Sequence, residues 1–310
     1  MKAFLLLYPS MSTIVKKTVW TRRHLVDTHS LTVEEIFEVM AEAKALAGIK
    51  APLLAGKVIA NLFYENSTRT RTSFELAAKY LSADVVNLDI ATSSAQKGES
   101  LLDTAETLAA MGVDALVIRH SSSGVCQQLA SHFKNRLSII NAGDGMHEHP
   151  SQALLDLYTM LEKLQTVAGK KIVIVGDILH SRVARSNLHI LTKLGAEVHL
   201  VGPPTLCIDP EPLEDALEDA DVVMCLRLQM ERQTSGLIPS LAEYREFYGI
   251  DRQKLELAKP NVLVMHPGPM NRGVEITSDV ADDSLIRQQV RNGVIVRMAI
   301  LKLLLQETGG

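Results

Sequence analysis

The stretch KVIANLFYENSTRTRTSFELAAKYL, Lys57 to Leu81, decides the fold class. Lys57 to Tyr64 is an apolar run of strand length and Phe74 to Leu81 is a helix pattern, so the polar run Ser67-Thr68-Arg69-Thr70-Arg71-Thr72-Ser73 sits at a strand-to-helix turn. A helix start presents unpaired backbone N–H groups and the positive end of the helix dipole, which favour an anion before any side chain is counted. Ser67 to Thr72 add hydroxyl donors and two planar guanidiniums suited to bidentate contact with phosphate or carboxylate. The bland alternative is a capped surface helix with a charged first turn. Cations there oppose the dipole, which makes stability alone a poor reason for Arg69 and Arg71. The run reads as a phosphate cradle.

Upstream of it, Thr32 to Leu46 is an amphipathic helix with acidic residues in its first turn. Downstream, Asp84 to Leu88 is a short second strand, and Ala91 to Ser100 is a small, polar, exposed loop. Lys97 stands alone in that loop and on these grounds is solvated surface. Leu101 to Met111 is a helix, and Ala115 to Ile118 is a strand that ends in Arg119-His120. Open α/β sheets bind ligands at strand ends, so Arg119 is a second phosphate candidate, with a surface arginine after an edge strand as the equal alternative. Ser138 to Asn141 is another strand. It runs into a Gly143-Asp144-Gly145 turn, after which Pro150 opens the helix Ser151 to Leu164 and leaves His149 and Gln152 at its mouth. His147-Glu148-His149 raises a metal site, yet a loop lacks the i, i+4 helical geometry of a zinc hydrolase, and no metal is expected. His149 is placed to polarise a carbonyl or move a proton near neutral pH, or simply to cap its helix.

The alternation restarts at Gly169. Lys171 to Val175 (KIVIV) is a β-branched strand buried on both faces, Ser181 to Leu194 is a helix with Arg182 and Arg185 near its start, and Glu197 to Val201 is the next strand. A dinucleotide fold is the obvious comparison. The Gly-x-Gly-x-x-Gly fingerprint is missing, however, and Ile178 and Leu179 fill the turn where a pyrophosphate needs close approach, which argues against NAD. Asp221 to Leu226 is a buried strand leading to Arg227 and Gln229, which alternation puts on one side. Tyr244 onward is helical. Asn261 to Met265 is a strand, His266-Pro267-Gly268-Pro269-Met270-Asn271-Arg272-Gly273 is a rigid turn, and Ser284 to Gln306 is a long closing helix.

With 310 residues, 46% hydrophobic and 22% charged, the chain is long enough for two domains with large cores. A net charge of −4 argues against bulk nucleic-acid or anionic-membrane binding, so any basic site is local. Cys126, Cys207 and Cys225 form no CxxC pair, which points away from a disulfide framework and a zinc cluster and toward a reducing cytoplasm. The opening MKAFLLLYPSM is too short to span a membrane and lacks a small-residue cleavage site. It is a candidate disordered lead-in, with Met11 a candidate alternative start.

Four runs, STRTRTSFE from Ser67, GDGMHEHPSQALLDL from Gly143, LRLQMER from Leu226 and HPGPMNRG from His266, resemble in order those of the aspartate carbamoyltransferase family. The resemblance extends from about Arg22 to Leu305. The sister ornithine carbamoyltransferases share the phosphate motif but carry cysteine in a His-Pro-Cys-Gln and a His-Cys-Leu-Pro motif. This chain has His149-Pro150-Ser151-Gln152 and His266-Pro267-Gly268-Pro269, so the acceptor leans to aspartate. Another amine acceptor and a non-catalytic scaffolding member are the rival readings.

The resemblance implies an α/β fold of two doubly wound parallel-sheet domains joined by two crossing helices, with the active site in the interdomain cleft. The expected division is an extension over residues 1–21, a carbamoyl phosphate domain over 22–150, an interdomain helix over 151–168, an aspartate domain over 169–288 and a returning C-terminal helix over 289–310. By resemblance Ser67, Thr68, Arg69 and Thr70 hold phosphate, Arg119 bridges phosphate and carbonyl oxygen, Thr70, Arg119 and His149 surround the oxyanion, and Gln152 orients the carbamoyl NH2. Arg182, Arg227 and Gln229 match the residues for the carboxylates of L-aspartate, and the backbone at Pro267, Gly268 and Pro269 its amino group, with a candidate cis bond into Pro269. The resemblance also reverses the reading of Lys97. With Ser93 it is implied to enter the neighbouring subunit's site, hence a homotrimer, with regulatory chains or a dihydroorotase as candidate partners. No cofactor is implied. Some members have leucine at Gly268 and glutamine at Glu148.

Overall fold

A computed structural model of the chain describes residues 20–88, 99–228, 237–238 and 240–306. The first sheet is built from β1 (Val58–Phe63), β2 (Asp84–Leu88), β3 (Ala115–His120) and β4 (Ser138–Asp144), all parallel in the order β2-β1-β3-β4. The second uses β5 (Lys171–Val175), β6 (Glu197–Val201), β7 (Val222–Cys225) and β8 (Leu263–Met265), also parallel, in the order β6-β5-β7-β8. Alternation explains why helices cover both faces of each sheet. Ile59 and Val117 join one hydrophobic cluster while Ala60, Leu116 and Ile118 join another; likewise Ile172 and Ile174 lie opposite Val173 and Val175.

The flanking helices are α1 (Val33–Leu46), α2 (Thr68–Tyr80), α3 (Leu101–Ala110), α4 (Val125–Phe133), α5 (Pro150–Leu164), α6 (Arg182–Lys193), α7 (Leu213–Leu217), α8 (Leu241–Tyr248), α9 (Arg252–Leu255), α10 (Ser278–Asp283) and α11 (Ile286–Leu305). Helix α1 starts at a full capping box, Thr32 with Glu35. Helices α5 and α11 pass between the sheets: α11 packs on α1, α2, α5 and β8, and α5 packs on β4 and α6. The two doubly wound domains joined by two crossing helices are therefore present as expected.

Several boundaries differ from the sequence reading. Helix α2 begins at Thr68, not Phe74, so most of the polar run is helix rather than turn. Its buried positions are Thr70, Ser73, Phe74, Ala77 and Ala78, a helical stripe whose first two members are polar and so escape a search for apolar spacing. Helix α8 begins at Leu241, ahead of Tyr244. Helix α4 was not foreseen, because Ser121-Ser122-Ser123-Gly124 before it reads as loop.

Candidate active site

Each sheet reverses its winding between its two central strands, and there the carboxyl ends open a crevice. The two crevices face one cleft of about 810 Å³. From the first sheet it receives the residues after β1 (Glu65 to Thr70), at the end of β3 (Arg119) and after β4 (His149 and Gln152). From the second it receives those after β5 (Ser181 and Arg182), after β7 (Leu226 and Arg227) and after β8 (His266 to Pro269).

Ser67 is the N-cap of α2, but its side chain makes no capping bond, and no acid lies in the first turn. The capped-helix alternative thus fails at its main point, and the first N–H groups of α2 face the cleft with Thr68, Arg69 and Thr70 beside them. His149 likewise makes no side-chain cap bond to α5; its backbone N–H donates to Ser186 Oγ (2.9 Å). The ring is buried, and burial together with Arg119, Arg182 and Arg297 holds its pKa well below the ordinary value. His149 is therefore a neutral imidazole, able to donate one hydrogen bond to an oxygen without a charge of its own. The metal alternative is not assembled. His147 Nδ1 contacts Asp144 (3.1 Å), while the Glu148 carboxylate turns inward to accept from Thr28 N–H (2.7 Å), the Thr28 hydroxyl and Ser186 Oγ (3.0 Å).

The arginines from the two sheets share an acid that sequence reasoning missed. Glu65 Oε2 accepts from Arg182 Nη2 (2.8 Å) and pairs with Arg119 Nε (3.4 Å), and Arg182 Nη1 donates to Gly145 O (3.1 Å). Among the described residues lining the cleft, Glu65 is the one carboxylate against Arg69, Arg119, Arg182, Arg227 and Arg297. Arg297 was also missed. It hides in the apolar pattern of α11, is 3% exposed, lies over the Phe74 ring (5.0 Å to the centroid), and burial lowers its pKa to about 10 against the opposing pull of Asp156.

Glu275 organises the far wall. Buried, it accepts from Leu228 N–H (2.9 Å), Asn271 N–H (2.7 Å) and Asn271 Nδ2 (2.7 Å), and so ties the segment carrying Arg227 to the turn after β8. In that turn Gly268 N–H donates to His266 Nδ1 (2.8 Å), His266 N–H donates to Gln289 Oε1 (3.0 Å), and the Gly268–Pro269 bond is cis as expected. Gly268 has φ +67°, and a Cβ there would fall 1.3 Å from Arg69 Nη1, so the two walls touch at a residue with no side chain. Ser93, Lys97 and Gln229 lie outside the described residues.

Both halves of the chain have known counterparts. Residues 23–162 match the carbamoyl-phosphate-binding domain of aspartate/ornithine carbamoyltransferases, and residues 208–304 match their Asp/Orn-binding domain. The chain belongs to the aspartate/ornithine carbamoyltransferase family. Within it, the aspartate carbamoyltransferase catalytic subunit of Acetivibrio thermocellus is 53% identical over 306 residues, 93% of this chain and 97% of that one. The same subunit of Desulfitobacterium hafniense is 54% identical, covering 92% and 96%. Aspartate transcarbamoylase of Trypanosoma cruzi, solved with carbamoyl aspartate and phosphate, superposes with a TM-score of 0.83 at 31% identity, covering 91% of this chain and 96% of that one. Ornithine carbamoyltransferase of Pyrococcus furiosus superposes with a TM-score of 0.83 at 29% identity, covering 93% and 98%. The backbone is thus common to both substrate classes, and the choice between them lies in the side chains.

Proposed function

We propose that this chain is the catalytic chain of an aspartate carbamoyltransferase, transferring the carbamoyl group of carbamoyl phosphate to the α-amine of L-aspartate, an early step of pyrimidine synthesis. The observation that carries the reading is the uncapped start of α2 beside Arg119 and neutral His149, facing Arg182 and Arg227 across one cleft. Residues 22–150 and 169–288 are the two substrate domains, with 151–168 and 289–310 crossing between them. Ser67, Thr68, Arg69 and Thr70 take the phosphate through hydroxyls and the free N–H groups of α2. The amine nitrogen adds to the carbamoyl carbon, charge gathers on its oxygen, and Thr70, Arg119 and His149 stabilise that charge by about 3 kcal/mol each. The intermediate collapses by breaking the carbon–oxygen bond to phosphate. Guanidiniums, hydroxyls and amides do not accept the amine's proton, whereas the departing phosphate does. Gln152 orients the carbamoyl NH2, Arg182, Arg227 and Gln229 hold the aspartate carboxylates, and the backbone of Pro267, Gly268 and Pro269 fixes the amine.

The working unit is a homotrimer in which Ser93 and Lys97 complete the neighbouring cleft, with regulatory chains or a dihydroorotase as further partners, in the cytoplasm. Formation of carbamoyl-aspartate by the purified chain, with ornithine as competing acceptor, tests the reaction. Turnover only with ornithine would overturn the assignment of the second domain. Mixing inactive Arg69→Ala and Lys97→Ala chains tests the shared site: hybrid trimers regain activity, and separate sites do not.

A further inference from the structure

Asp156 lies four residues after Gln152 on α5 and is fully buried. Three side-chain amides converge on its carboxylate. Gln152 Nε2 (2.9 Å) and Gln289 Nε2 (2.8 Å) donate to Oδ1, and Asn187 Nδ2 (3.0 Å) donates to Oδ2. A carboxylate only accepts, so each amide must turn its NH2 toward Asp156. For Gln152 this has a further effect, because that residue also lines the cleft. The two ends of a carboxamide have nearly the same shape, and sterics alone would let either face the ligand. With its nitrogen claimed from behind, Gln152 offers the cleft its oxygen, an acceptor. The other two amides brace this choice from elements tied to the second sheet: Gln289, on α11, accepts the His266 backbone N–H at its Oε1 (3.0 Å), and Asn187 stands on the helix that begins at Arg182.

We propose that Asp156 is a positioning residue that sets the polarity of the Gln152 amide, and through it the preference for a carbonyl bearing NH2 over one bearing methyl. This rests on the carbamoyltransferase reading of Gln152. Carbamoyl phosphate carries a donor on its reacting carbon, and acetyl phosphate, of nearly equal size, carries none. An acceptor in the cleft separates the two; a donor there does not.

Dissociation constants of carbamoyl phosphate, acetyl phosphate and inorganic phosphate for the wild type and for Asp156→Leu test the proposal. Leucine, of similar size, offers no acceptor where three donors converge, so Gln152 is released to turn. The preference for carbamoyl over acetyl phosphate falls about tenfold, the scale of one hydrogen bond, while inorganic phosphate binds as before. Equal weakening of all three ligands would mean that Asp156 only ties helices together and would overturn the inference, as would an undiminished preference. Should Asp156→Leu not fold, the double variant Gln152→Glu with Asp156→Asn carries the test. It restores a donor–acceptor match and leaves one carboxylate oxygen for the cleft, so its added charge weakens all three ligands but the carbamoyl preference survives; no preference in it overturns the inference. A wild type that binds none of the three would instead sink the carbamoyltransferase reading.

Discussion

The two walls of the cleft bind anions by different means. On the first sheet's side the backbone and short side chains at the start of α2, with the hydroxyls of Thr68 and Thr70, are joined by the guanidiniums of Arg69 and of Arg119 at the end of β3. On the second sheet's side the work falls to long guanidiniums. Arg182 is pinned by Glu65 and Gly145 O, and Arg227 precedes Leu228, whose N–H is held by buried Glu275. The first wall rests mainly on the start of α2, whereas the second leans on carboxylates: Glu65, which also pairs with Arg119, holds Arg182 at the start of α6, and Glu275 holds the segment after Arg227. On the proposed function the first wall takes the phosphate and the second takes the acceptor, the part in which aspartate and ornithine carbamoyltransferases differ.

The contrast breaks most visibly in Arg119→Ala. On the proposed function Arg119 is an oxyanion donor, and its removal is expected to lower kcat by about 10³-fold with little change in KM for aspartate, as steady-state kinetics would show. A rise confined to the aspartate KM would place Arg119 on the wrong wall. Arg227→Ala is the converse. Loss of a charged hydrogen bond of about 1.5–3 kcal/mol predicts an aspartate KM raised ten- to a hundredfold, while phosphate affinity stays put. Equal losses of both would show that the walls do not act separately.

Acid sharpens the comparison, since each wall buries a neutral histidine. Burial, aided by Arg69 and Arg227, lowers His266 to about 3, and burial with Arg119, Arg182 and Arg297 lowers His149 in the same direction. The unfolded chain takes up protons near 6.5 that the folded chain refuses, so this stability is whole above 6.5 and falls by about 1.4 kcal/mol per pH unit per histidine on acidification. Asp156 opposes the trend. Burial raises it from 3.8 to about 6, so its contribution is present at low pH and is lost as pH rises through 6. Thermal melts should therefore show a midpoint that drops from pH 6.5 to 5, with a shallower drop in His266→Gln. An unchanged slope in that variant would remove His266 from the account. The smallest effect is expected at the contact between the walls. Gly268→Ala strains a φ of +67° and displaces the flexible end of Arg69, at a stability cost of about 1 kcal/mol and a severalfold rise in aspartate KM.

Local pattern made much of this legible. β-branched runs such as Lys171 to Val175 announce strands buried on both faces, and hydroxyls with arginines at a helix start announce an anion before any partner is known. The order of the four motifs carried the family and its acceptor. The early start of α2 was illegible because its first buried positions, Thr70 and Ser73, are polar, whereas α4 does carry an apolar stripe, Cys126, Leu129 and Phe133, too short at nine residues to stand out behind its Ser/Gly lead-in.

What the sequence determined by itself was therefore the alternation of strands and helices, the hydroxyls and arginines gathered at the helix start after β1, and the identity of most cleft-lining side chains. The tertiary structure decided the rest: that Glu65 holds arginines from both sheets, that Asp156 gathers three amides, that Glu275 ties two loops, and that Gly268 gives way to Arg69. Periodicity reports how a residue meets neighbours a turn away along the chain. A buried carboxylate is fixed by donors up to 133 positions distant, and those meet only when the sheets close on the helices between them.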